Sequence, residues 1–219
     1  MELVGIENSK ITYLIKLNRP AGMLYEPEAL EQIVRRYKFV KFPSVEDLGK
    51  GTTRIFGMGK FKEIQISELG IYNDGIIVNS ASSSNLLDEF IDDLFGWSRE
   101  EFGLIPAIGS ADEKTYESNL AVKSDHDLSK VLTPNSAAIA AVNKAYGSDR
   151  YPAVELAYSG FVFSVDDTTF PGIKKPIKFI VDRRVGVPLD QNIFYSQAPL
   201  ATDDHLDVLR AFERIASSR

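Results

Sequence analysis

The chain has 219 residues, 44% of them hydrophobic and 26% charged, with 25 Lys and Arg against 31 Asp and Glu for a net charge of -6. That balance excludes a disordered chain. No apolar run approaches the roughly 18 residues of a membrane span, and the absence of Cys, with His126 and His205 the only histidines, excludes disulfides, Cys-based metal sites and thiol nucleophiles.

Residues 10–17 read Lys-Ile-Thr-Tyr-Leu-Ile-Lys-Leu, a β-branched and aromatic run that predicts a strand stopped by Pro20. Pro27 opens a helix with Leu30, Ile33, Val34 and Tyr37 at helical spacing. Residues 39–42 read as a short strand ended by Pro43, residues 45–51 as a loop, and residues 52–56 as a strand closed by Gly57 and Gly59. Residues 62–72 alternate, but the phase slips at Ser67-Glu68, which suggests a bulge. Asn73-Asp74-Gly75 then predicts a hairpin into Ile76-Ile77-Val78. After the N-cap candidates Ser82, Ser83 and Ser84, a helix places Leu86, Leu87, Phe90, Ile91, Leu94 and Phe95 on one face. Asp88, Glu89, Asp92 and Asp93 fill the other, which predicts a buried face and a solvated one.

A second series begins near Gly109. Residues 114–122 read as a strand, and Thr133-Pro134 starts an Ala-rich helix that stops at Gly147. Residues 153–165, 177–181 and 193–195 are strand candidates. Thr202 caps a last helix whose core face is Leu206, Leu209, Phe212 and Ile215. The order predicts an α+β fold, mostly antiparallel sheet with about four helices. Residues 10–96 and 114–217 both run strand, helix, two or three strands, helix. Two organisations fit: a single α+β domain over 1–219, or two similar halves, 1–105 and 106–219.

Charge is unevenly placed. Residues 35–62 hold eight Lys or Arg against Glu46 and Asp47, while residues 63–113 hold eleven acids against Arg99. Three readings follow. The blocks pair internally, or they lie on different faces and join copies head to tail, or the basic block meets phosphate or nucleic acid. Tyr37, Phe39, Phe42, Phe56 and Phe61 interleave with the basic residues, as a single-strand stacking surface would require.

Candidate chemistry is sparse. Gly57-Met58-Gly59-Lys60-Phe61 lacks the earlier Gly and the following Ser or Thr of a phosphate loop, and reads as a flexible turn. Asp203, Asp204 and His205 open the last helix, where a carboxylate and an imidazole suit acid/base work. Asp125-His126-Asp127 is a similar cluster. Arg183 and Arg184 end a strand and could clamp a carboxylate or phosphate. Arg35, Arg36, Lys38 and the single Trp97 are binding candidates, because Arg and Trp anchor interfaces. No metal or cofactor site is expected.

The leading expectation is a non-catalytic interaction protein, a subunit of a self-associating or multi-protein assembly with itself or another protein as partner. An enzyme with an acid/base or metal site around His205 is one alternative. A nucleic-acid or phosphate binder using residues 35–62 is another. No membrane partner is expected: residues 1–5 lack the basic start and apolar stretch of a signal peptide. The Cys-free composition fits the reducing cytoplasm.

Overall fold

Backbone pairing extends the first strand well beyond the pattern that announces it. In the computed structural model, which describes residues 1–15, 17–18, 26–44, 53–106, 113–132, 136–146, 157–166, 168 and 175–218, β1 spans Glu2–Leu14 and a separate β2 spans Leu17–Asn18. Glu2, Gly5, Glu7 and Asn8 are poor strand formers singly, and sheet context overrides that preference. Helix α1, Glu26–Tyr37, buries Ala29, Ile33 and Tyr37 at every fourth position. Residues 39–42 form no strand and contribute one isolated bridge, Lys41 to Gly57.

Strand β3, Arg54–Phe61, runs through both glycines that were expected to close it. Gly59 is required there because a Cβ would meet the Phe39 ring at 2.3 Å. The Gly57-Met58-Gly59 segment is therefore strand and not a flexible turn. Strand β4, Ile64–Tyr72, pairs with β3 from Phe61–Ile64 to Arg54–Ile71 with no inserted residue, so the expected bulge is absent from this pair. The phase slip is carried by both strands at one level. Phe56 faces Leu69 and Gly59 faces Ile66, with Met58 between them at φ 58°. The Asn73-Asp74 turn leads into β5, Gly75–Ser80, with Tyr72 opposite Gly75.

Helix α2, Ser84–Phe102, buries Leu87, Phe90, Ile91 and Leu94, with Leu86 half-buried. Asp92 is exposed as expected, but Asp88 and Asp93 are half-buried because each bonds to a neighbouring element. Gly103 at φ 61° ends the helix. Next come β6, Ile105–Pro106, which pairs with β2, and β7, Glu113–Lys123. Helix α3 spans Ser136–Tyr146, and its expected start and stop residues lie outside the described residues, as do residues 45–51 and Gly109. Strand β8 is only Gly160–Phe163, far shorter than the expected run over 153–165. Residues 157–159 and 164–165 are not strand, and residues 153–156 lie outside the described residues.

Strands β9, Phe179–Arg183, and β10, Ile193–Ala198, precede α4, Thr202–Ser217. On α4 the buried positions are Thr202, His205, Leu209 and Ala216, while Ile215 is exposed. The inward stripe is thus rotated from the one expected, since a histidine and an alanine complete it rather than the large apolar residues.

The fold is α+β, with four α-helices among the described residues and an eight-stranded antiparallel sheet in the order β3-β4-β5-β1-β7-β10-β9-β8. The chain divides into two units. The first holds Ile6–Asn119 with Pro199–His205, around a core that includes Ile11, Tyr37, Phe56, Leu69, Val78 and Phe90. The second holds Met1–Gly5, Leu120–Ala198 and Leu206–Arg219, with Leu128, Val181, Phe194 and Leu209 buried. The same connectivity occurs twice. One set runs β1, α1, β3, β4, β5, α2 in sheet order β3-β4-β5-β1, and the other runs β7, α3, β8, β9, β10, α4 in sheet order β8-β9-β10-β7. Among the described residues no helix is long and apolar enough to cross a membrane.

Candidate functional site

The stripe that sinks Ile33 and Tyr37 into the first unit turns Arg35 and Arg36 outward along α1. On α2 the burial of Phe90 and Leu94 leaves Asp93, Trp97 and Glu101, four residues apart, along one flank. The two flanks meet at Arg36. Its Nη2 donates to both Asp93 carboxylate oxygens at 2.9 and 3.1 Å, and its guanidinium carbon lies 5.3 Å from the Trp97 ring centre. The Tyr37 hydroxyl donates to the same carboxylate at 2.7 Å. The bond to Asp93 raises the Arg36 pKa further above its already high value, and burial raises that of the Tyr37 phenol.

An open groove of about 480 Å³ runs beside this cluster, lined by Arg35, Arg36, Gln32 and Trp97 with Glu28, Glu31 and Glu101. Arg35 pairs with Glu31 at 2.8 Å, one helical turn away. Both arginines are thus neutralised in place. Among the described residues Glu28 and Glu101 have no cationic partner, so the groove carries an aromatic–guanidinium wall and a mildly acidic rim. Lys38 lies just past α1, exposed and in the left-handed region at φ 53°, while the Phe39 N–H closes the helix onto the Val34 carbonyl at 3.2 Å.

Three of the binding candidates, Arg35, Arg36 and Trp97, therefore line one groove. Glu28 and Glu101, which also line the groove, and Asp93, which holds Arg36, are not among the site candidates of the sequence. Their helical spacing from Trp97 and Arg35 was the available signal. The two charge blocks meet inside this unit through Arg36–Asp93 and through Lys62–Glu89 at 2.6 Å. Of the five interleaved aromatics, Tyr37, Phe39 and Phe56 are core, which leaves Phe42 exposed and Phe61 half-buried.

The acid/base candidates sit differently. His205 is 0% exposed, its Nδ1 is 2.7 Å from the Ser118 hydroxyl, and burial pushes its pKa down to about 4. The imidazole is neutral at pH 7 and sealed from any dissolved substrate. Asp203 and Asp204 are exposed, and Asp203 accepts from Asn85 Nδ2 at 2.6 Å. Ser118 was not anticipated, because 87 residues separate it from His205 and no local pattern joins them.

Arg183, in the second unit, donates to Asp127 at 2.8 Å and to the Leu189 carbonyl, with its guanidinium carbon 5.1 Å from the Phe194 ring centre. Asp127 also caps the 3₁₀ turn Leu128–Val131 by accepting from the Ser129 N–H at 3.0 Å. Arg184 is half-buried, and its N–H donates to the Ile193 carbonyl at 3.0 Å. The two arginines hold different parts of the unit and do not form a clamp. His126 is exposed. Among the described residues no three His, Asp or Glu side chains converge as metal ligands. No protein-family model matches the chain, and no curated protein matches its sequence significantly.

Proposed function

We propose that this is a non-catalytic interaction protein, a subunit of a self-associating or multi-protein assembly, and that its partner segment docks in the groove between α1 and α2. The observation that carries this reading is Arg36 held by Asp93 against the Trp97 ring at the wall of an open groove. Trp and Arg dominate binding energy at interfaces when they are held before the partner arrives. Here the acid pins the guanidinium, so little rotamer freedom remains to be lost. Glu28 and Glu101 favour a segment that brings Lys, Arg or backbone N–H groups to the rim. The sealed position of His205 weighs against acid/base catalysis at that residue. With no cysteine to oxidise, the reading extends to the reducing cytoplasm.

Trp97 is the only tryptophan, so its emission reports this groove alone. Partners recovered from cell extract with the wild-type chain, once identified and purified, are titrated against it. The expected result is a shift of Trp97 emission on binding, and a loss of at least about tenfold in affinity for Arg36→Ala, equivalent to roughly 1.4 kcal/mol. Binding with no emission change and no effect of Arg36→Ala removes the groove from the account.

A further inference from the structure

We propose that Tyr37 is the positioning residue of the groove: its buried phenol fixes the Asp93 carboxylate, and through it holds Arg36 on the Trp97 ring in the conformation that receives the partner. This rests on the docking reading above and adds the core residue that sets the groove's competence to bind.

Tyr37 is the last residue of α1 and is 2% exposed. Its ring is wedged edge-to-face against Phe90 at 4.9 Å, Trp97 at 6.2 Å, Phe39 at 6.3 Å and Phe61 at 6.4 Å. A ring packed on so many sides keeps one rotamer. Phenylalanine would fill the same space, and a buried hydroxyl is costly unless it is bonded. The Tyr37 hydroxyl is bonded to Asp93 at 2.7 Å, shorter than the 2.9, 3.1 and 3.3 Å bonds from Arg36 to the same carboxylate. Burial holds the phenol above its usual pKa, so the O–H remains a donor across the neutral range.

The ion pair does not fix itself. The Arg36 side chain is 39% exposed and that of Asp93 32%. So open a pair gains little over hydration and is screened by salt, so neither partner orders the other. The phenol differs because the core sets its place. With the carboxylate anchored, Arg36 Nη2 donates to both of its oxygens, and Nε reaches Oδ2 and the phenol oxygen at 3.3 Å each. The guanidinium carbon then lies 5.3 Å from the Trp97 ring centre and 5.6 Å from that of Tyr37. Order passes from the core to the phenol, the carboxylate, the guanidinium and the groove wall. A partner that meets a pre-set Arg36 immobilises less on binding.

α2 also carries a matched control. Asp88 accepts from the Tyr116 hydroxyl at 3.1 Å and from Lys114 at 2.7 Å. This too is a phenol, a carboxylate and a cation, but none of the three lines the groove.

The test is acrylamide quenching of Trp97, the only tryptophan, in the full chain. Wild type, Tyr37→Phe, Arg36→Ala, their double variant and Tyr116→Phe are compared at low and high salt, with thermal unfolding checked for each. Wild-type quenching should not change with salt, a readout that needs no variant. Tyr37→Phe should raise the quenching constant by at least about half of the rise seen in Arg36→Ala, and should make it salt-dependent. In the Arg36→Ala background the same change should add little, and Tyr116→Phe should leave quenching as in wild type. Partner affinity, measured with the partner purified as above, should fall at least about threefold in Tyr37→Phe. A phenol that only fills space would change quenching equally in both backgrounds. That result, or wild-type quenching that already rises with salt, overturns Tyr37 as the positioning residue, and a tenfold loss of affinity in Arg36→Ala would still uphold the docking reading. Released Arg36 with undiminished partner affinity in Tyr37→Phe overturns the role of Tyr37 in binding, and the docking reading falls with it only if Arg36→Ala also binds as wild type.

Discussion

Ser84 and Thr202 cap each other's helices. The Ser84 N–H donates to the Thr202 hydroxyl at 2.9 Å, and the Thr202 N–H donates to the Ser84 hydroxyl at 2.8 Å, across 118 residues of chain. Ser9 adds a third hydroxyl 3.3 Å from that of Thr202. The starts of α2 and α4 are thus satisfied reciprocally, and all three residues are buried.

Removing either hydroxyl leaves the other helix with an uncapped, buried N–H. Ser84→Ala and Thr202→Val should each cost about 1–2 kcal/mol in chemical denaturation. The double variant should cost clearly less than the two single losses added together, because the hydroxyls act as one unit. Additive losses would mean the two caps are independent.

His205 sets an acid limit on stability. Its folded pKa of about 4 lies below its ordinary value of 6.5, so the unfolded chain takes up the proton more readily. The contribution is fully present above pH 6.5 and is lost as the pH falls towards 4. It amounts to roughly 3 kcal/mol at about 1.4 kcal/mol per pKa unit. Denaturation midpoints of the wild type should therefore fall over that window more steeply than those of His205→Gln. Parallel profiles would show that His205 titrates normally.

Much of the first unit was legible from the sequence, for identifiable reasons. Phe90, Ile91 and Leu94 repeat at the period of the helix that buries them, and Asn73-Asp74-Gly75 permits little but a tight turn. What the sequence hid depends on distant partners. The glycines of β3 read as breakers until Phe39 lies over Gly59. The charge blocks leave internal pairing, separate faces and phosphate binding open in the sequence, and Arg36 and Lys62 find Asp93 and Glu89 inside the unit, because charge density along a chain does not say which side chains meet. His205 resembles a catalytic group beside two carboxylates, but its helix turns it inward to Ser118 and turns Asp203 and Asp204 out.

Asp93 ties the groove wall to the core. Asp93→Ala removes the acceptor of the Tyr37 phenol, itself 2% exposed, and releases Arg36 from the Trp97 ring. A loss of about 1–3 kcal/mol is expected, chiefly from the stranded phenol, since the partly exposed ion pair contributes less. Trp97 emission should change in the same variant. A stability loss with unchanged emission would mean Arg36 stays on the ring without the carboxylate.

Lys38 is held at φ 53° one residue beyond α1, where glycine is the favoured residue. Lys38→Gly should raise stability by about 1 kcal/mol, read as a higher melting temperature. A lower melting temperature would show that the lysine side chain makes a stabilising contact that outweighs the strain.

The most direct test of an interaction protein is its mass in solution. Light scattering on the purified chain, at low and high salt and with and without added nucleic acid, should give a mass that rises above the 24.4 kDa protomer with concentration. The rise should not depend on nucleic acid. A constant 24.4 kDa under every condition, with no protein partner recovered from cell extract, contradicts the account.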